Sequence, residues 1–278
     1  MNSILEFLAY QNSYVAALIV SAFCALLAFG IIKLAAVIGH KSRIIYFILI
    51  TLFVIAGLVI SPSLLEEERQ VVSIPHKVDE MENYKVFAVI FKYYPDEEKT
   101  LREAIKPIKN SEEADKLIKL AGSKLIEKYF YPNIIKAPDN LVSQYIILTS
   151  QIMHELEPLP VSCYEYFAGA ASWRTESKIP ATLMEEELRL KGEIIEAGIK
   201  NTELQQLDTI EAAMNNIYIK YYANKYDPRE LQYLSGLDKI EPEDSCKIAL
   251  HFTDTVVSMG DEGAQAMKSL ISFQIGSK

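Results

Sequence analysis

The chain is poor in the residues from which catalytic and metal centres are assembled. Its 278 residues include four histidines, three cysteines, one tryptophan and eleven glycines. No glycine-rich segment exists that would cradle a phosphate. There is no GxSxG turn and no SxxK followed by a second serine motif, so the usual nucleophile signatures are absent. No CxxC pair is present, which argues against a catalytic thiol. His154-Glu155-Leu156-Glu157 begins like a zinc-peptidase helix, but Pro158 stands where the second histidine would have to be. That motif needs two histidines four apart on one helix, so it is excluded.

Basic residues are scarce as well. Beyond residue 60 the chain holds 25 Lys/Arg against 36 Asp/Glu. Affinity for nucleic acid rests on basic side chains displacing counterions from phosphates. With no basic patch and no interleaved aromatics, the acidic region is not expected to bind nucleic acid.

The hydrophobic content, 50% with a mean hydropathy of +0.10, is concentrated at one end. Residues 1–60 carry only Glu6, Lys33, Lys41 and Arg43 as formal charges. Tyr14 to Ile32 is uncharged over 19 residues, and Ala35 to Ile38 extends it past Lys33. At ~1.5 Å per residue this nearly covers a ~30 Å hydrocarbon core. Ile44 to Ile60 is a second uncharged run of 17 residues, with Tyr46 near an expected interface and Pro62 at the exit. A buried core helix would carry a polar stripe, and neither run has one. A signal peptide would need a positive leader, and the first 13 residues have no Lys or Arg. The expectation is a transmembrane hairpin at 14–62, with spans at 14–38 and 44–60, preceded by a tail at 1–13.

Lys33, His40, Lys41 and Arg43 cluster in the turn between the spans, while Glu6 is the only charge in the tail. Lys and Arg are retained on the cytoplasmic side. The turn is therefore expected inside and both termini outside, in the inner (cytoplasmic) membrane with the C-terminal region in the periplasm or extracytoplasmic space. Ala17, Ser21 and Ala25 recur every four residues on one face of the first span. Small residues let helix backbones approach. Packing of the two spans on each other is the simpler reading, and an oligomer contact the other. Cys24 reads as an apolar filler within the membrane.

After a connector at 63–78, helical signals repeat through 79–275. Asp79 can cap a helix with Met81, Tyr84, Ala88 and Phe91 on one face, although Tyr84 to Phe91 is also rich in strand formers. Asp96, after Pro95, opens a helix from Glu97 to Ile105. Ser111 caps one carrying Ala114, Leu117, Ile118, Ala121, Leu125 and Tyr129 at helical spacing. Asp139 or Asn140 begins a helix to about Leu156, apolar on several faces and so expected at the centre. Ser162 is read as starting a short helix through Cys163, Tyr164, Phe167 and Ala171. Thr182 with Glu185, and Thr202 with Gln205, have capping-box spacing. The second box opens an amphipathic helix of Leu204, Leu207, Ile210, Met214, Ile217, Tyr218 and Tyr221. Asp227-Pro228 and Pro242 mark two further starts. Gly260-Asp261 precedes a last helix from Glu262 to Phe273. Eight or nine helices and no strand alternation predict an all-α fold: two transmembrane helices followed by a multi-helix globular domain.

Cys163 and Cys246 are the two cysteines of that domain. Outside the cytoplasm such a pair tends to oxidise, and a bridge would contribute on the order of 4 kcal/mol in the loop-entropy model. His251 and Asp254 share a helical face and could be joined by His154, Glu155 or Glu157. A polar surface is the simpler account, so no metal, cofactor or catalytic set is assigned. The acidic runs Glu185-Glu186-Glu187 and Glu241, Glu243, Asp244 suit helix N-termini without catalysis. Among 16 tyrosines, Tyr129 and Tyr131 flank Phe130, and Tyr218, Tyr221, Tyr222 and Tyr226 form a second group. At helical spacing these are mostly core residues, and a recognition surface where they emerge. Trp173 and Arg174 are read as lying between helices at the core edge.

The expected role is a membrane-anchored interaction or scaffolding module of the cell envelope. Its partners would be the lipid bilayer and an envelope or membrane protein. Two alternatives stand beside it: an accessory subunit of a membrane complex, and an envelope hydrolase.

Overall fold

A computed structural model describes residue 74, residues 76–171, 173–201 and 207–276; of Trp173 it describes the backbone only. The two apolar runs, His40, Ala17, Ser21, Ala25, Cys24 and the Thr202/Gln205 capping box lie outside these residues. Among the described residues every element is helical and there is no strand. In chain order they are α1 (His76–Met81), α2 (Lys85–Tyr93), α3 (Pro95–Ile105), α4 (Ser111–Ile134), α5 (Asp139–Leu156) and α6 (Pro160–Phe167). Then come α7 (Trp173–Glu176), α8 (Ala181–Lys200), α9 (Ile210–Ala223), a 3-10 segment (Pro228–Lys239), α10 (Pro242–Ser258) and α11 (Asp261–Gly276). Among these residues no helix is long and apolar enough to cross a membrane.

Several helix starts differ from the expectation, each for a local reason. The connector gives way to helix at His76, and the chain breaks before Lys85 instead of running on from Asp79. Tyr84 is the extended residue at that break and is exposed, while Val86, Phe87, Val89, Ile90 and Phe91 are buried. The cap of α4 is Asn110, whose Oδ1 accepts from the backbone N–H of Glu112 at 2.8 Å and of Glu113 at 3.1 Å. Helix α6 begins at Pro160, two residues before Ser162, because proline at the first position loses no helical hydrogen bond. It stops at Phe167, short of Ala171. Helix α8 begins at Ala181 after Pro180, so Thr182 lies inside the first turn and caps nothing. The cap of α9 is Thr209, accepting from Ala212 N–H at 3.2 Å, so Leu207 precedes the helix. Asp227 caps as expected, accepting from Arg229 N–H at 3.0 Å, but the helix it opens is 3-10, kinked at Gly236. Trp173 and Arg174 belong to the one-turn α7. Gly260 takes φ +61, the left-handed conformation that closes α10 and frees α11 to start at Asp261.

The described residues fall into two compact units. The smaller comprises 74–79 and 100–119. It buries Ile74, Val78, Leu101, Ile105 and Ala114, and Arg102 pairs with Asp79 at 2.7 Å. Lys77 also meets Asp115.

The larger unit comprises 80–99 and 120–276. Helix α5 packs against α6, α8, α10 and α11, the central place its apolar faces predict. Helix α8 lies along α2, and Glu196 ties the two together. Its carboxylate meets Lys85 of α2 at 3.1 Å, Lys92 of α2 at 3.5 Å and Lys200 of its own helix at 2.9 Å. Near the end of α8, Gly198 lets the backbone reach α4. A methyl group there would stand 2.4 Å from the carbonyl oxygen of Asn133. Packing this close admits only hydrogen.

The Lys200 ammonium, then that of Lys85, holds the Glu196 carboxyl down at about 2, from an ordinary 4.5. A depressed carboxyl stabilises the fold in full above its unfolded value and loses that contribution as pH falls toward the folded one. Solvent access to the lysines reduces the worth of the Glu196 carboxylate to roughly 1 kcal/mol or less. Glu196→Gln is therefore expected to lower stability by that amount at neutral pH, measured by urea unfolding. The gap to the wild type should narrow as pH drops from about 5 toward 3. A pH-independent gap would contradict the ion-pair account.

Candidate functional site

The interior of the larger unit is built around one covalent bond. Pro160 and Pro242 open α6 and α10, placing Cys163 and Cys246 near their starts. The two sulfurs are bonded, with Cα atoms 5.5 Å apart. Leu148, Ile152 and Leu156 of α5, Leu190 of α8, and Ile248 and Leu250 of α10 belong to the same buried cluster as the bridge. Beside it, α6, the 3-10 segment and α10 enclose a shallow hollow of about 220 Å³. Tyr164, Leu237, Ile240 and Pro242 supply most of its apolar lining.

The histidines do not assemble as a metal site would require. His154 of α5 lies 3.1 and 3.2 Å from the two carboxylate oxygens of Asp254, and 3.7 Å from Glu157. Ser150 donates its hydroxyl to the same Asp254 at 2.7 Å. In a serine nucleophile the hydroxyl would donate to imidazole, with the carboxylate behind it. Here the carboxylate sits in the middle, so the histidine cannot take the serine proton directly. His251, one turn before Asp254 on α10, pairs with a different carboxylate, Glu230 of the 3-10 segment, at 2.8 Å. Tyr221 of α9 donates to that carboxylate at 2.5 Å, and Tyr226 stacks on the imidazole with ring centres 4.0 Å apart. Burial, followed by the hydrogen bond to Glu230, pushes the Tyr221 hydroxyl far above its ordinary range. Tyr226 is also raised, first by desolvation and then by the charges of Asp254 and Glu230. These contacts tie α9 and the 3-10 segment to α10. Among the described residues no three His, Cys, Asp or Glu groups are placed to hold one metal ion.

Because α8 begins at Ala181, Glu185-Glu186-Glu187 lie in its second turn and not at the N-terminus expected of them, and the run divides by role. Glu186 pairs with Arg189 at 2.5 Å on the surface, while Glu187 is buried and meets Lys191 at 2.7 Å. The ammonium of Lys191 also lies 5.8 Å from the ring centre of Phe130 and 5.9 Å from that of Tyr145. Burial lifts the Tyr145 hydroxyl to about 12. Glu241, Glu243 and Asp244 remain exposed at the start of α10, as a helix N-terminus favours.

The tyrosines divide too. Tyr129 stacks on Tyr94 at 4.0 Å and donates to Glu97 at 2.7 Å, so it is a packing residue. On α9, Tyr221 is fully buried, whereas Tyr218 is 50% exposed, Ile219 59% and Tyr222 71%. Tyr218 therefore leaves the inward face expected of it, because Ile217 and Tyr221 already fill that face. Three large apolar side chains instead occupy the outer face of one helix. Comparison with known protein families, with characterised proteins and with solved structures finds none that matches this chain.

Removing a native disulfide of this loop length typically costs roughly 2–5 kcal/mol. The variant Cys163→Ala/Cys246→Ala is expected to unfold at correspondingly lower urea, and dithiothreitol should destabilise the wild type but not the variant. Equal stability of the oxidised wild type and the variant would remove the bridge from its structural role.

Proposed function

We propose that this chain is a membrane-tethered α-helical interaction module whose helical region lies on the extracytoplasmic side. The observation that carries the reading is the outer face of α9. Tyr218 and Tyr222 stand one turn apart with Ile219 beside them, all more than a third exposed. Exposed apolar side chains are ordinary singly, but a contiguous group marks a contact surface. Tyrosine is enriched where protein contacts concentrate their energy. The apolar runs at 14–38 and 44–60 and the basic turn between them support the tether and its orientation. The Cys163–Cys246 bond suits an oxidising compartment.

The hydrolase alternative required His154, Glu155, Glu157, His251 and Asp254 to converge. His154 does meet Asp254 and Glu157, whereas His251 pairs with Glu230, so the five are not gathered around one point and the interaction module is the reading preferred. A role as accessory subunit through Ala17, Ser21 and Ala25 remains compatible with the module, since it concerns the membrane segment.

A photocrosslinking amino acid in place of Tyr222, in intact cells, is expected to give one discrete protein adduct. The adduct should be lost when Tyr218→Ser and Ile219→Ser are added, and absent when the same probe replaces Gln232. An adduct that survives both serine substitutions, or that forms equally from Gln232, would overturn the assignment of this face.

A further inference from the structure

A shallow hollow lies beside the disulfide, and its lining limits what it could hold. Its two helical walls are covalently joined, since Cys163 lies next to Tyr164 on α6 and Cys246 next to Ser245 on α10. The third wall is held by Ser245, whose single hydroxyl proton lies between the Leu237 carbonyl at 2.6 Å and the Glu241 carbonyl at 3.0 Å. A site fixed in this way binds without first having to order itself. The Ser245 proton is thereby occupied, and the apolar part of the lining is Leu237, Ile240, Pro242 and the ring of Tyr164.

Size and charge narrow the occupant further. Sites for cofactors and drug-sized ligands run to about 300–1,000 Å³ and enclose most of the ligand. At about 220 Å³ and open on one side, this hollow suits a single bulky side chain. Val161 at its edge is 54% exposed and Leu159 is 42% exposed, so apolar surface continues beyond the rim. The polar part of the lining is acidic, Asp238 on one wall and Glu165 on another, the Glu165 carboxylate also accepting from the Thr175 hydroxyl at 2.5 Å. Exposed Glu241, Glu243 and Asp244 come next in the chain, with Lys239 and Lys247 the basic residues of that stretch. Complementary charge favours cationic neighbours beside the inserted side chain. A second copy of so acidic a region would meet like charge.

We propose that this hollow docks one bulky apolar side chain of a partner polypeptide whose adjacent residues are Lys or Arg. The proposal is independent of the α9 face.

The test uses the full chain in nanodiscs of zwitterionic lipid, with empty nanodiscs subtracted. The probe is a capped, fluorescent pentapeptide bearing one leucine between two pairs of lysines. Saturable binding is expected, weakened about tenfold or more when alanine replaces the leucine. It should weaken similarly when glutamates replace the lysines, and in the exposed-site variants Asp238→Lys and Val161→Asp. Oxidised mobility on non-reducing gels confirms that the variants are folded. The combined Tyr218→Ser, Ile219→Ser and Tyr222→Ser variant should bind the peptide as the wild type does, which separates this site from α9. Absence of saturable binding overturns the proposal. So does equal binding of the alanine peptide, of the acidic peptide, or by the Asp238→Lys and Val161→Asp variants.

Discussion

The bond between Cys163 and Cys246 closes a loop of 83 residues that contains α7, α8, α9 and the 3-10 segment. Cross-linking of this kind acts on the unfolded chain, by reducing the conformations lost on folding. Within the fold it fixes α6 against α10 at the point where α5 packs on both. The apolar cluster around it then needs only ordinary side chains to close, and the walls of the adjacent hollow are set by the same bond.

The polar interactions of the larger unit work outward from that centre. Glu230 gathers Tyr221 and His251, and Asp254 gathers Ser150 and His154. Buried or half-buried carboxylates need such partners, since an unpaired charge away from water is costly. The result is two separate carboxylate–imidazole pairs on α10, each joining a neighbouring element to it. They engage His154, His251 and Asp254, three of the residues that looked most like chemistry in the sequence. With Ile217 and Tyr221 filling the inner side of α9, Tyr218, Ile219 and Tyr222 are left facing out.

Much of this was legible before the structure. Helical spacing marked α4, α5 and α10, and prolines at 228 and 242 marked 3-10 and helix starts, because proline loses nothing at a first position; α3 begins at Pro95, two residues ahead of the expected Glu97. The pairing of the cysteines followed from their number and the expected compartment. Capping was read less well. Asn110, not Ser111, caps α4, and Pro180 sets the start of α8 ahead of the Thr182 box. Serine, threonine and asparagine one residue apart are equivalent caps in sequence, and only the chain direction chooses among them. The i, i+4 spacing of Glu187 and Lys191 was a signal for their pairing, but the burial of the pair depends on Phe130 and Tyr145 from other helices. The contacts of Glu230 with His251, and the approach of Gly198 to Asn133, join residues far apart in the chain. No local pattern announces them.

The central claim is an extracytoplasmic, disulfide-stapled helical region held by an N-terminal hairpin. Protease added to intact spheroplasts, with non-reducing electrophoresis of the products, tests it most directly. The account predicts that the helical region is digested from outside and that the undigested chain migrates in its oxidised form. A region that is protected until the cells are lysed, with Cys163 and Cys246 free to react with a thiol reagent, would contradict it and place the helices in the cytoplasm.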